Sequence, residues 1–320
     1  MTWDFDLLVI GSGPAGEKGA AQAAYFGKKV ALVERESTLG GACVHTGTIP
    51  SKTLREAALY VTGFQRGHLY GMTLEIDRTT RLRQITGRLH AVIHQQEEDV
   101  RSNLDRHGVT LVQGEATFAG PNQIVVRRDG VESARLSASV ILIATGSSPH
   151  RPAGVPFSDP DVEDSSSILD LDRIPDALAV VGGGVIGCEY ACLFAALGTR
   201  ITLIEEKPRL IGALDPDMSA ALRLALESGG HQVLVGDAVR HIERIPQGTL
   251  RIELKSGRVL EVDKILYSAG RAGNTGGPAE DRGGGEPSGT GSRPAGGQAG
   301  RATIRQGVDP RGDPGHLGRR

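Results

Sequence analysis

The chain has 320 residues, 39% of them hydrophobic and 23% charged, with 36 basic against 38 acidic side chains. That length suits about two domains with buried cores, and a formal charge of −2 supplies no overall basic field for nucleic acid. Three cysteines are too few for a secreted disulfide scaffold, the first residues carry no basic leader, and no apolar run approaches the ~18 residues of a membrane span. A soluble, cytoplasmic protein is the expectation.

From the N-terminus, residues 5–10 predict a short buried strand, 11–16 a glycine turn, 15–26 a helix and 29–33 a second strand. Residues 49–64 and 79–107 read as helices, 109–112 and 124–127 as short strands, and 140–144 as a buried strand. The Pro-rich stretch 151–160 is the candidate crossing into the second half. There, residues 178–181, 182–187, 185–197 and 200–204 repeat the opening order of strand, turn, helix and strand. A helix over 216–227 and strands over 232–235, 250–254 and 264–267 follow. Strand, glycine turn, helix and strand within about 30 residues is a βαβ unit. Two copies predict an α/β fold with two Rossmann-like dinucleotide-binding units.

Gly11-Ser-Gly13-Pro-Ala-Gly16 fits G-x-G-x-x-G directly after a strand. The first glycine permits the tight turn, the second lets a pyrophosphate approach the main chain, and the third lets helix and strand pack closely. The helix N-terminus adds partial positive charge. Glu34 stands 23 residues after Gly11, where a carboxylate can accept both hydroxyls of a ribose. Gly182-Gly-Gly184-Val-Ile-Gly187 repeats the pattern, with Glu205 again 23 residues past its first glycine. An acid there favours a free 2′-hydroxyl and therefore NAD, whereas Lys207 and Arg209 just beyond could pair with the extra phosphate of NADP. The residues leave that choice open. Two such turns imply two dinucleotides, and a flavin beside a nicotinamide is the most economical pair, because a flavin accepts a hydride and passes it on. Cys188 and Cys192 lie four apart on one helix face. With no other Cys or His nearby they are expected to be buried small side chains, not metal ligands. Residues 95–99 are expected to form a solvated acidic face.

Glu34-Arg-Glu-Ser-Thr-Leu-Gly-Gly41-Ala-Cys43-Val-His-Thr-Gly-Thr48-Ile-Pro-Ser-Lys52 resembles the active-site region of the FAD-dependent pyridine nucleotide–disulfide oxidoreductases. Ala144-Thr-Gly146, Gly187-Cys-Glu189-Tyr-Ala and Ser268-Ala-Gly-Arg-Ala-Gly-Asn-Thr275 extend the resemblance over roughly residues 4–274. It implies an FAD domain (1–150) into which an NAD(P) domain (151–270) is inserted, then a return segment and tail (271–320). It also implies FAD, NAD and NADP as ligands and a homodimer or larger assembly. Gly11, Gly13, Gly16 and Glu34 would hold the adenosine diphosphate half of FAD, with Arg35, Gly40, Gly41 and Cys43 lining it. Ala116, Thr145, Gly146 and Gly270 would complete the cofactor-binding set, while Gly182, Gly184, Gly187 and Glu205 would serve the nicotinamide dinucleotide. By the same resemblance Lys52 would lie near the reactive edge of the flavin. Glu189 would pair with it close to the nicotinamide, making these two the catalytic candidates. Without the resemblance, the two residues are an exposed ion pair worth little.

One departure decides the branch. Dithiol members of the family carry a second cysteine five positions after the first, and here that position is Thr48. A hydroxyl forms no redox disulfide, so a lipoamide- or glutathione-type relay is excluded. The run Cys-x-x-x-Gly-Thr-Ile-Pro-Ser-Lys is similar instead to the soluble transhydrogenase branch, in which electrons pass from NADPH through FAD to NAD. A diaphorase and an inactive nucleotide-binding fragment are the rival readings.

All twelve aromatic residues lie at or before Tyr267, while the 47 residues from Asn274 onward hold fourteen Gly, five Pro, seven Arg and no Lys. Such a composition is expected to be disordered. Lacking interleaved aromatics, it does not read as an RNA-binding arm. The family's Ala-x-Gly-Asp motif and its interface domain are not found after Tyr267, and the tail resembles out-of-frame translation from about residue 276. Weak FAD retention, no dimer and an open edge on the first parallel sheet are the corresponding expectations.

Overall fold

The computed structural model describes residues 2–65, 78–170, 173–246 and 248–274. The first half runs β1 (Phe5–Ile10), α1 (Pro14–Tyr25), β2 (Val30–Glu34), a short α2 (Gly41–His45) and two long helices, α3 (Thr48–Gln65) and α4 (Arg78–Arg106). Strands β3 (Thr110–Gln113), β4 (Glu115–Gly120), β5 (Gln123–Arg128), β6 (Val131–Ile143) and β7 (Ser147–Pro149) complete it. The second half runs β8 (Val162–Asp164), β9 (Ala177–Val181), α5 (Val185–Ala196), β10 (Arg200–Glu205), α6 (Pro216–Ser228) and β11 (Gln232–Val235). Last come β12 (Val239–Arg244), β13 (Leu250–Leu254), β14 (Val259–Val262), β15 (Lys264–Tyr267) and β16 (Arg271–Gly273).

β3, β2, β1 and the distal half of β6 form a parallel sheet in that order. β6 serves twice: its first seven residues pair antiparallel with β5, and the remainder pairs parallel with β1. Because side chains alternate across a strand, Leu8 and Ile10 enter a core beneath the β4–β5–β6 meander. Val9 enters another core with Ala20 of α1 and Leu104 of α4.

The second unit repeats the plan. Its sheet, β11-β10-β9-β15-β8, is parallel throughout. Leu178 and Val180 face α5, while Ala177, Ala179 and Val181 face the antiparallel β12–β13–β14 meander. The helical layers of the two units merge, since Leu54 and Ala58 of α3 and Leu82, Ile85 and Leu89 of α4 share one core with Tyr190, Leu193 and Phe194 of α5. Burying each such Leu or Phe contributes roughly 1.5–3 kcal/mol, so the seam holds the units together as a core does.

The chain crosses over residues 151–160 without a helix or strand, as its prolines predict, and returns beside its point of departure. β16 pairs antiparallel with β7, and Asn274 N donates to Gly146 O at 3.0 Å. Charged side chains staple the crossing to the second sheet. The Lys264 ammonium, 2% exposed, reaches Asp161 at 3.2 Å and Glu163 at 3.3 Å. Asp161 also receives Arg173 and Arg244, each at 2.7 Å. Asp164 accepts from Ser166 N, Ser167 N and Arg151 Nε at 2.7, 3.0 and 2.6 Å.

The expected helices and strands are present with ends shifted by a residue or two, except that the strand expected at 140–144 is the end of the longer β6, Val131–Ile143. One expectation is corrected. Residues 140–144 are not a buried strand: Val140 is 54% and Ile143 51% exposed. Beside them only β1 pairs, and no strand lies on the outer side of this stretch among the described residues. Of the strands that reading the sequence missed, β4, the first half of β6, β12 and β14 interleave charged or polar residues and hold at most one buried position each, while β7, β8 and β16 are only three residues long. No helix among the described residues is long and apolar enough to cross a membrane. The tail expectations fall on residues 275–320, outside the described residues.

Candidate functional site

The first glycine turn is shaped by close approach. Gly11 has φ 102°, its N–H donates to Val33 O at 2.8 Å, and a Cβ there would stand 2.5 Å from Ala144 O. A Cβ at Gly16 would overlap the Gly11 carbonyl, whereas at Gly13 no atom lies within 4 Å. The first and third glycines are thus closed by packing, and the second opens onto free space before the N-terminus of α1. That space suits a pyrophosphate. Glu34 is already turned to the loop: Ser12 N and Ser12 Oγ donate to its Oε2 at 2.8 and 2.7 Å. Gly40 N donates to Ser12 Oγ at 3.0 Å, and a Cβ on Gly41 would reach 3.0 Å from Gly13 Cα. The Gly40-Gly41 pair therefore backs the turn.

The second turn copies the first. Gly182 (φ 106°) donates to Ile204 O at 2.8 Å and abuts Ser268, a Cβ at Gly187 would overlap Gly182 O, and Gly184 faces open space. Glu205 accepts from Gly183 N at 2.6 Å and from Lys207 N at 2.8 Å. Both turns fit a dinucleotide, with an open cradle, a helix N-terminus and a ribose-height carboxylate.

Between the units lies a cavity of about 280 Å³ lined by Cys43, Thr48, Lys52, Glu189, Tyr190 and Arg271, among others. Lys52 Nζ donates to Glu189 Oε1, joining α3 to α5. The Lys52 side chain is 56% exposed and that of Glu189 26%, so the cavity is open to solvent at the lysine. Tyr190, almost fully buried, donates its hydroxyl to Ser165 O at 3.2 Å. Burial, with Glu189 and Asp164 nearby, pushes its ionisation well above the usual phenol range. Arg271 reaches across from β16, donating to Ser147 Oγ at 3.0 Å and Ser147 O at 2.5 Å.

The structure therefore gathers the candidate residues into separate clusters. Cys43, Lys52 and Glu189 share the cavity, and the two glycine sets with their acids form the cradles. Thr145, Gly146 and Gly270 sit at the crossing seam. There Thr145 Oγ1 donates to Asn274 O at 2.8 Å, and Gly270 O accepts from His150 N at 3.0 Å. Ala116 has its side chain in the meander core, and Arg35 is exposed, donating to Glu36 at 3.0 Å. The α5 thiols need a correction. Cys188 is buried as expected, its thiol pushed up to about 12 by burial and then by Cys192 and Glu205, but Cys192 is exposed because its position faces away from the shared core. Sequence reading did not assign roles to Tyr190 and Arg271. Both lie inside quoted family motifs, but only the packing of α5 and the β7–β16 pairing brings them to the cavity. No cluster of metal-binding side chains occurs among the described residues.

Two α/β units, each with a glycine cradle at the C-terminal end of a central parallel strand (β1 and β9) and with a cavity between them, have a geometry that could hold two dinucleotides. The family model for pyridine nucleotide-disulphide oxidoreductases matches residues 5–286, and the chain belongs to that family. Among curated relatives it is similar to a soluble pyridine nucleotide transhydrogenase of Mycobacterium tuberculosis, 41% identical over 85% of this chain and 58% of that one. It is also similar to one of Pectobacterium atrosepticum, 39% identical with the same coverage. A solved structure, the Cu(II) complex of the HOCl-induced flavoprotein disulfide reductase RclA from Escherichia coli, superposes with a TM-score of 0.74 at 26% identity, covering 86% of this chain and 58% of that one. The chain thus spans somewhat over half the length of the curated relatives it matches.

Proposed function

We propose that the protein transfers hydride between NADPH and NAD through FAD, as a cytoplasmic pyridine nucleotide transhydrogenase. In this reading residues 1–150 hold FAD, 151–270 receive the nicotinamide dinucleotides, and 271–320 comprise a return segment and a Gly/Arg/Pro-rich tail. The carrying observation is that the cavity between the cradles holds the Lys52–Glu189 pair and a single sulfur, Cys43, with Thr48 where a resolving thiol would stand. Cys188 is buried with its thiol pushed up to about 12, so it does not supply the second sulfur. The names of the curated relatives support the same reading.

Each role follows from placement. The N-termini of α1 and α5 direct main-chain N–H groups at a pyrophosphate over Gly13 and Gly184. Glu34 and Glu205 accept ribose hydroxyls while their positions are fixed by Ser12 and Gly183 N–H groups. Lys52 presents a cation whose position is set by Glu189, and Glu189 stands on α5, the helix that begins at the second cradle. The bound flavin supplies the capacity to take up a hydride from one nicotinamide and release it to another. The protein contributes alignment and a cation at the reacting edge. Mixing the FAD-supplied chain with NADPH in stopped flow tests this: Lys52→Ala should slow loss of the flavin's visible absorbance about a hundredfold. An unchanged rate refutes the assigned role.

A further inference from the structure

Ser165 lines the cavity and is only 6% exposed, yet its hydroxyl has no hydrogen-bond partner among the described residues. The main chain around it is pinned. Asp164 accepts from Ser166 N and Ser167 N at 2.7 and 3.0 Å, Ser167 Oγ accepts from Asp164 N at 3.0 Å, and Ser165 O accepts from Tyr190 at 3.2 Å. Two other buried hydroxyls of the lining, Ser51 and Tyr190, are each spent on a main-chain carbonyl. A buried hydroxyl left unpaired is unfavourable, so the one at Ser165 calls for a partner. Ser165, Ile186, Glu189 and Tyr190 form the second unit's side of the lining. With Glu189 drawn to Lys52 and Tyr190 to Ser165 O, that side is a largely apolar surface carrying one unspent hydroxyl. Such a wall suits a flat ring that bears one uncharged hydrogen-bonding substituent.

The sheet sets this hydroxyl at a nucleoside's distance from the second cradle. Asp164, Tyr267 and Val181 stand in register across β8, β15 and β9. Ser165, Ser268 and Gly182 therefore follow side by side at the C-terminal ends of three parallel strands. Neighbouring strands lie ~4.8 Å apart, which puts Ser165 roughly 10 Å from the glycine turn. A pyrophosphate over Gly184 leaves the nicotinamide riboside to bridge that gap. Resting on the two-dinucleotide reading above, we infer that Ser165 binds the carboxamide of the nicotinamide, its hydroxyl donating to the amide oxygen. The contact fixes the orientation of the ring in the cavity and discriminates against rings that lack the substituent.

Equilibrium titration of the full chain tests this without any turnover. The ligands are NAD, ADP-ribose, which lacks the nicotinamide, pyridine adenine dinucleotide, which lacks only the carboxamide, and FAD. Ser165→Ala should weaken NAD about tenfold while leaving the other three unchanged, and Ser165→Thr, which keeps a hydroxyl, should restore part of the loss. Equal affinity of wild type and Ser165→Ala for NAD overturns the inference. So does an equal loss for NAD and ADP-ribose, or a loss confined to FAD, whose ring also carries amide-type groups. Should Ser165→Ala fail to fold, the wild type still decides. It should bind NAD more tightly than pyridine adenine dinucleotide, and equal affinity for the two overturns the assignment. A chain that passes this test but moves no hydride overturns the transhydrogenase reading alone.

Discussion

β6 and β15 occupy the same place in their respective sheets, each parallel to the strand that leads into its unit's glycine turn (β1 and β9), yet their fates differ. Ile265 and Leu266 of β15 are 0% exposed because β8 covers its outer side. Val140 and Ile143 of β6 are about half exposed, since beyond Ala138 only β1 pairs with that strand among the described residues. The apolar runs Val-Ile-Leu-Ile and Ile-Leu-Tyr look alike. Burial is set by the neighbour, not by the strand, and the second unit is the more completely enclosed of the two.

The largest expected effect bears on what the units share. Gly16→Val and Gly187→Val each force a side chain into a carbonyl oxygen and should cost about 3 kcal/mol or more, read as a lowered melting temperature or as insoluble protein. Comparable losses support equivalent turns, whereas tolerance at one position breaks the equivalence. Next, Leu266→Ala should cost roughly 2–5 kcal/mol and Ile143→Ala under about 0.5 in urea unfolding. Amides of residues 139–143 should also exchange with solvent faster than those of 264–267. Equal costs would mean that the β6 edge is covered in solution.

Asp164 comes third. Burial pulls its carboxyl up, but Ser167 N, Ser166 N and Arg151 outweigh this and hold it below its ordinary 3.8. Asp161 behaves alike, with burial opposed by Arg244, Lys264 and Arg173. For a depressed carboxyl the stabilisation is present above the ordinary value and lost as pH falls through the lowered one. Acid below about pH 4 should therefore loosen the second unit's crossing, and Asp164→Asn, losing about 2 kcal/mol at neutral pH, should flatten that dependence. A variant as acid-sensitive as the wild type contradicts this. The smallest effect is on stability at the cavity. The Lys52–Glu189 pair is open to solvent, so Glu189→Gln should change melting by less than about 1 kcal/mol while slowing flavin reduction.

Much of this was legible in the chain. Both G-x-G-x-x-G runs, each directly after an apolar strand, identify the cradles, because the steric demand on Gly11, Gly16, Gly182 and Gly187 is local. So is the spacing to Glu34 and Glu205. The Thr48 substitution is likewise a one-residue fact. What was not legible depends on long-range packing. Arg271 reaches the cavity only because β16 pairs with β7, Tyr190 because α5 shares a core with α3 and α4, and the exposure of Val140 follows from the strand arrangement around β6.

The central claim is hydride passage between nicotinamides at a cavity with one sulfur. The most direct measurement supplies the purified chain with FAD and NADPH and compares a thionicotinamide analogue of NAD with lipoamide as acceptors, for wild type and Cys43→Ser. The account predicts transfer to the thionicotinamide within a fewfold in both proteins and none to lipoamide. Brisk lipoamide reduction abolished by Cys43→Ser, or no transfer to the thionicotinamide, would contradict it.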